Sequence, residues 1–317
     1  TVTDAHLALG HLPPYLLAGG MQLDTCAARN AIAAHVADPL GLSIEVAAQG
    51  ILEIADNDMV GAIRVISVER GHDPRDFALV AFGGAGPLHG GSLARLLGAK
   101  TVIVPPSPGV LSAMGLLVSQ LRADYARTCY QAPPDFDLDL MNEAFLELEM
   151  EAAAWFDREG VAEGARGTTR KASLRYKHQG FELDVDWPDG DVTGETVTSA
   201  IDAFHDLHEQ LYTFSQHDTP VEIVTLHVAA VGTLLQPSLP EFRKRSSLVD
   251  AEINLHPVYF NDATQPVPVY DRAKLAAGLT IDGPALLVQL DSTTLINPDQ
   301  TAELDRYGNL LITFSDD

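Results

Sequence analysis

A chain of 317 residues has room for one large or two medium domains, and its 46% apolar and 20% charged residues are those of a globular protein. Against 44 Asp and Glu stand only 20 Lys and Arg, a formal charge of −24. This argues against nucleic acid and anionic membrane surfaces as partners, because both are bound through cationic contacts, and a solvated acidic surface accounts for it.

No apolar run nears the ~18 residues of a membrane span and the start lacks a signal-peptide pattern. Cys26 and Cys129 stand alone, with no C-x-x-C spacing to suggest a disulfide framework or a zinc knuckle. The cytoplasm is the compartment expected from this.

Thr3 and Asp4 read as a helix start, with Asp4 as a cap, and the helix runs to Gly10 before a Pro13-Pro14 break. Asp24 caps a second helix through about Val36, and Asp38-Pro39 with Gly41 makes a turn. Ser43 opens the longest helical pattern, ending at Gly71, with Ile44, Ala47, Ala48, Ile51, Ile54, Ala55, Val60, Ile63 and Ile66 supplying apolar spacing of three and four. Val46, Leu52, Met59 and Val65 lie off that stripe, so the helix is predicted to pack between two layers. Asp56, Asn57 and Asp58 fall mid-helix with no metal-ligand spacing and read as a solvated face.

Phe77 to Phe82 is then long enough for a buried strand. Gly83, Gly84 and Gly86 follow, and Leu88, Leu93, Leu96 and Leu97 mark a helix closed by Gly98. Thr101 to Val104 reads as a second buried strand, and Pro105, Pro106 and Pro108 break the chain before another helix. Strand, glycine turn, helix and strand form a βαβ unit, in which ligands sit beyond the carboxyl ends of the strands. Glycines there let a backbone approach a flat ligand, and the helix start supplies free N–H groups. A tight turn with no ligand would use the same residues, and the pattern alone leaves both open.

Beyond Val118, Arg122 to Tyr130 reads as a strand, Gln131 to Asp135 as a linker and Leu140 to Arg158 as an amphipathic helix stopped by Gly160. Two strands between Arg166 and Trp187 pair across His178–Gly180; Thr196 to Tyr212 is a helix and Val221 to Gly232 a strand. Leu234 to Arg245 reads as a loop, and from His256 short strands suggest a β-rich end with a hairpin at Tyr307-Gly308-Asn309.

Among side chains able to do chemistry, His205 and His208 lie at i, i+3 without a third ligand and read as surface or packing histidines. His89 follows the glycine turn, where helix packing and ligand contact both remain open. Asp291-Ser292-Thr293-Thr294 caps or turns the chain, and neither G-x-S-x-G nor G-x-x-x-x-G-K-[ST] occurs.

The segment FGGAGPLHGGSLARLLGAKTVIVPPSPGVLSAMGLLVSQLRADYART, with TVTDAHLALGHL, RYKHQGFELDV and the stretch from Val269 to Phe314, resembles the ATP-binding A-type subunit of the hydantoinase/5-oxoprolinase family over nearly the whole chain. Tyr176-Lys177-His178-Gln179-Gly180 departs from the family order at that turn. The resemblance implies an α/β C-terminal part of an actin-like (ribonuclease H-like) ATPase lobe over residues 1–130, then an α+β domain over 131–317 with a β-rich end from about 250. The family's D-x-G-G-T phosphate hairpins do not occur here, which implies the C-terminal half of a longer protein.

Gly83, Gly84, Ala85, Gly86 and Pro87 match the adenosine-cradling motif, with His89 beside them. The implied cofactors are ATP and Mg²⁺, the metal held mostly by the N-terminal half. The implied reaction is ATP-dependent cleavage of cyclic amides such as hydantoin or 5-oxoproline. A ketone carboxylase subunit and a non-catalytic docking half are the alternatives. A B-type hydantoinase subunit or domain is the implied partner, in an oligomer.

Overall fold

The first helices begin where a side-chain oxygen takes up free amides of the opening turn. In the computed structural model, which describes residues 1–16, 19–234, 241 and 247–315, Thr1 and Asp4 form a reciprocal capping box on α1 (Val2–Leu9), and Gly10 closes it at φ 77°. The hairpin β1 (Tyr15–Leu16) and β2 (Met21–Gln22) follows. Asp24 caps α2 (Thr25–Ile32), which continues through a π turn at Ala33–Ala37 into the single turn α3 (Asp38–Leu40). Ser43 caps α4 (Ile44–Ile66). Among the described residues no single helix is long and apolar enough to cross a membrane.

Two compact units divide the chain, Thr1–Leu116 with Ser238–Asp317, and Leu117–Pro237. In the first, β3 (Leu79–Val80), α5 (Gly86–Leu97) and β4 (Thr101–Val104) make the expected βαβ unit, with β3 and β4 parallel. Strand β3 is shorter than the apolar run predicts. It lies at the sheet edge, so Phe77 and Phe82 are 56% and 49% exposed. Helix α4 likewise buries one stripe, Ala48, Leu52, Asp56 and Val60, and leaves Ile54, Val65 and Ile66 exposed. The two-layer packing expected for it is not present within this unit.

After β4 a 3-10 turn at Pro108–Val110 leads to α6 (Leu111–Val118). The second unit is an antiparallel sheet of β5 (Leu121–Gln131), β6 (Arg166–Tyr176), β7 (Leu183–Trp187) and β8 (Val221–Gly232), in the order β5-β8-β6-β7. It carries α7 (Leu138–Glu159) and α8 (Gly194–Tyr212). Met141, Phe145, Leu148, Ala152 and Trp155, spaced by three and four, are the buried stripe of α7. By compactness the chain divides near residue 117; Gln131 pairs with Ile223 inside one sheet, and 132–137 links β5 to α7. The loop expected at 234–245 lies almost wholly outside the described residues.

The chain then returns to the first unit through α9 (Leu248–Ala251), β9 (Glu252–Phe260), β10 (Ala263–Asp271), β11 (Thr280–Asp282), β12 (Ala285–Val288), β13 (Thr293–Ile296), β14 (Gln300–Leu304) and β15 (Leu310–Phe314). One sheet runs β13-β12-β10-β9 and another β11-β14-β15-β4-β3. The strands of the β-rich end thus pack with the first unit. Leu310 and Ile312 of β15 stand opposite Val104 and Val102 of β4, and all four are buried. Closing that edge removes apolar side chains from water on both strands. No local pattern around residue 310 announces it.

Arg272, just after β10, fastens this arrangement. It is buried and donates to the Val104 and Gly308 carbonyls at 2.7 and 3.0 Å and to Gln289 Oε1 at 2.8 Å. Burial pulls its guanidinium down to about 10, offset in part by Asp291. Arg272→Met strands two buried carbonyls and a side-chain oxygen, so denaturant unfolding should show a loss of roughly 2–4 kcal/mol; a change below about 0.5 kcal/mol would show that the clamp contributes little.

Candidate functional site

The strand-to-helix turn after β3 takes its shape from Gly83, at φ 84°, whose N–H donates to the Pro108 carbonyl at 2.7 Å. A Cβ on Gly83 would meet nothing within 4 Å, and one on Gly84 only the Asp291 carbonyl oxygen at 3.7 Å. The backbone here is open to a ligand and not filled by the protein. Ala85 stands at the N-cap of α5 without a side-chain cap, and Pro87 sits in its first turn.

Gly84, Ala85 and Leu88 line a cleft of about 250 Å³, faced by Thr3 and His6 of α1, by Tyr15, and by residues 289–293. Asp291 is the only Asp, Glu, Lys or Arg among the described residues lining it.

The 289–293 segment is tied down from several sides. Gln289 accepts from Arg272 and donates to the Pro106 carbonyl at 3.0 Å. Asp291 accepts from the Gly109 N–H at 2.8 Å and also from Gln289. A Cβ on Gly109 would lie 2.7 Å from Asp291, so this close approach requires glycine. Asp291 is thus a turn-holding residue, in keeping with its sequence reading, and it places Ser292 in the cleft wall, buried and with Oγ unpaired.

A line of buried polar side chains runs behind the cleft. Asp56 Oδ1 lies 2.6 Å from His89 Nδ1, and His89 Nε2 lies 3.1 Å from His6 Nε2. Asp56 is 7% exposed, which corrects the solvated face expected of it; only Asn57 and Asp58 face water. His89 is buried between α1 and α4 and does not line the cleft, whereas His6 does. Sequence reading passed over His6 entirely. The signal that could have found the line is Asp56 itself, a carboxylate in register with Leu52 and Val60 on an apolar stripe, where a charge needs a partner.

His11 completes the cluster, its ring 5.5 Å from that of His6 and stacked 5.4 Å from Phe260. In the other unit, His205 bonds the Tyr176 hydroxyl at 2.7 Å, and His208 Nδ1 donates to the Phe214 carbonyl at 2.8 Å. Both are buried packing residues, and among the described residues no three His, Cys, Asp or Glu side chains gather to hold a metal.

The family description "Hydantoinase/oxoprolinase" matches residues 1–125, and "Hydantoinase/oxoprolinase C-terminal domain" matches residues 137–312. An uncharacterized protein of Methanocaldococcus jannaschii is 37% identical over 98% of this chain and 44% of its own length. Caprolactamase subunit alpha of Pseudomonas jessenii is 33% identical over 99% of this chain and 46% of its own. The crystal structure of ATP-dependent caprolactamase from Pseudomonas jessenii superposes with a TM-score of 0.89 at 32% identity, over 100% of this chain and 47% of that one. The chain spans less than half the length of each of these.

The histidine cluster has a consequence for acid stability. Burial, with His11 and His89 nearby, pushes His6 down to about 2, and burial pushes His11 down to about 4. An unfolded imidazole titrates near 6.5, so below that value the unfolded chain binds protons that the folded one refuses. Stability is full above about pH 6.5 and falls on acidification, by about 2–4 kcal/mol at pH 5 for the two together. The thermal midpoint of the wild type should drop between pH 7.5 and 5, and that of His6→Phe should drop less; equal drops would clear His6 of the effect.

Proposed function

The chain belongs to the hydantoinase/oxoprolinase family, and on that premise we propose that the cleft lined by Gly84 and Ala85, within the turn Gly83, Gly84, Ala85, Gly86 and Pro87, receives the adenosine part of ATP in an enzyme that opens cyclic amides. The observation that carries the reading is the open, nearly uncharged glycine turn at the start of α5. A flat base can lie against a backbone with no Cβ in the way, and a largely apolar wall suits a purine.

The same wall does not suit a triphosphate, because no Lys or Arg among the described residues lines it. Nor do the described residues offer a magnesium site. Bound ATP would supply a phosphoryl group to the amide oxygen, which opens the carbonyl carbon to attack by water, with the ring nitrogen leaving and phosphate released afterwards. This chain's part is to bind and orient the nucleoside and to exclude water from it. Phosphoryl transfer depends chiefly on groups that neutralise and align the phosphates, and those we assign to another part of the enzyme. A relative named as the alpha subunit of a caprolactamase supports cyclic amides as the substrate class and a B-type subunit as the partner.

Two measurements test this reading. Gly84→Val should bind adenine nucleotides at least about tenfold more weakly than wild type while the far-ultraviolet circular dichroism is retained. Gly84 lies outside the positive-φ region and its Cβ would have room, so the loss would come from the ligand side. Unchanged affinity in a folded variant would remove the adenosine assignment.

The purified chain alone should also release no phosphate from ATP and open no cyclic amide at an enzymatic rate. Turnover near 1 s⁻¹ would place the phosphate machinery here after all.

A further inference from the structure

His6 Nδ1 has no hydrogen-bond partner, although the side chain is 2% exposed, and it belongs to the cleft wall. Ser292 Oγ, in the same wall, is likewise buried and unpaired. A desolvated polar atom without a partner is costly. Two of them in one otherwise mostly apolar cleft mark a place where a ligand completes the pairing.

The chemistry of that ligand follows from which hydrogens the line of side chains can carry. The Asp56 carboxylate only accepts, so His89 Nδ1 bears a hydrogen across the 2.6 Å contact. With that single hydrogen on His89, its Nε2 is a lone pair, and the hydrogen in the 3.1 Å contact sits on His6 Nε2. That leaves His6 Nδ1 as an unpaired lone pair on a residue of the cleft wall. Burial, which holds the His6 titration near 2, denies it a second hydrogen.

We propose that His6 Nδ1, fixed as an acceptor by Asp56 and His89, takes the exocyclic amino group of adenine in the cleft, with the Ser292 hydroxyl donating to a neighbouring ring nitrogen. The inference rests on the adenosine reading above and names the atom that selects the base. Adenine brings an N–H donor to the His6 lone pair. Hypoxanthine brings a carbonyl oxygen to the same place, where two lone pairs oppose each other. His6 is thereby a specificity-determining contact, and His89 and Asp56 are positioning residues that act through it.

Binding of adenosine and of inosine to the purified 317-residue chain at pH 8, together with nitrogen-15 spectra of its imidazoles, tests this. The wild type should prefer adenosine by about tenfold or more, and the spectra should show His6 with its hydrogen on Nε2. His6→Phe should bring the two affinities close to equality. Asp56→Asn, whose amide can offer His89 either a donor or an acceptor, should narrow the preference. Equal binding of the two nucleosides by the wild type overturns the proposal and leaves the adenosine reading standing; binding of neither overturns that reading itself. A hydrogen on His6 Nδ1, or a preference unchanged in His6→Phe, also overturns the proposal. Should His6→Phe fail to fold, the wild-type spectra and Asp56→Asn decide.

Discussion

The antiparallel register of β15 on β4 is the constraint on which the first unit depends. It sets Leu310 and Ile312 against Val104 and Val102, and so joins the end of the chain to the strand that follows the glycine turn. With that edge closed, β14 and β11 extend the same sheet. Val102, Val104, Leu310 and Ile312 then share one core with Leu93 and Leu97 of α5. The turn at Gly83–Pro87 is thereby held between a strand and a helix that both pack on a sheet finished by residues from far along the chain. A site built on such elements is more sharply positioned than one on free loops.

Polar contacts set the remaining wall. Arg272 reaches two main-chain carbonyls and Gln289, and Gln289 and Asp291 then tie residues 289–293 to the segment after β4. Each of these groups is buried or half-buried and has its partner. The satisfied network behind the wall contrasts with two buried, unpaired atoms on its lining residues, His6 Nδ1 and Ser292 Oγ. Desolvation acts on both alike, and the difference lies in whether the protein or a ligand supplies the partner.

The electrostatics of the cleft bear on the two tasks that the proposed nucleotide site divides. Recognition of a base asks for a flat apolar space with one or two oriented hydrogen-bonding atoms. Handling of phosphates asks for cations and a metal. The described part of this chain has the first kind of wall and lacks the second. The formal charge of −24 makes it a poor host for a free triphosphate.

Much of the local structure was legible in residue order, because caps, glycine stops and apolar periodicity act over a few residues. Asp24, Ser43 and Gly98 sit where their chemistry predicts, α7 and α8 follow their spacing, and the βαβ unit around Gly83 follows from strand, turn and helix signals alone. The tertiary structure decided what depends on distant neighbours. It made β3 an edge strand, moved the terminal strands into the sheet of β4, and turned Asp56 inward to His89. It also brought His6 to the cleft wall and buried His89 behind it, a choice that the sequence leaves open. Those outcomes rest on which surfaces meet, and hydrophobic burial carries no label for its partner. A charge on an apolar stripe announces that it needs a partner, but only the packed helices show which histidine supplies it.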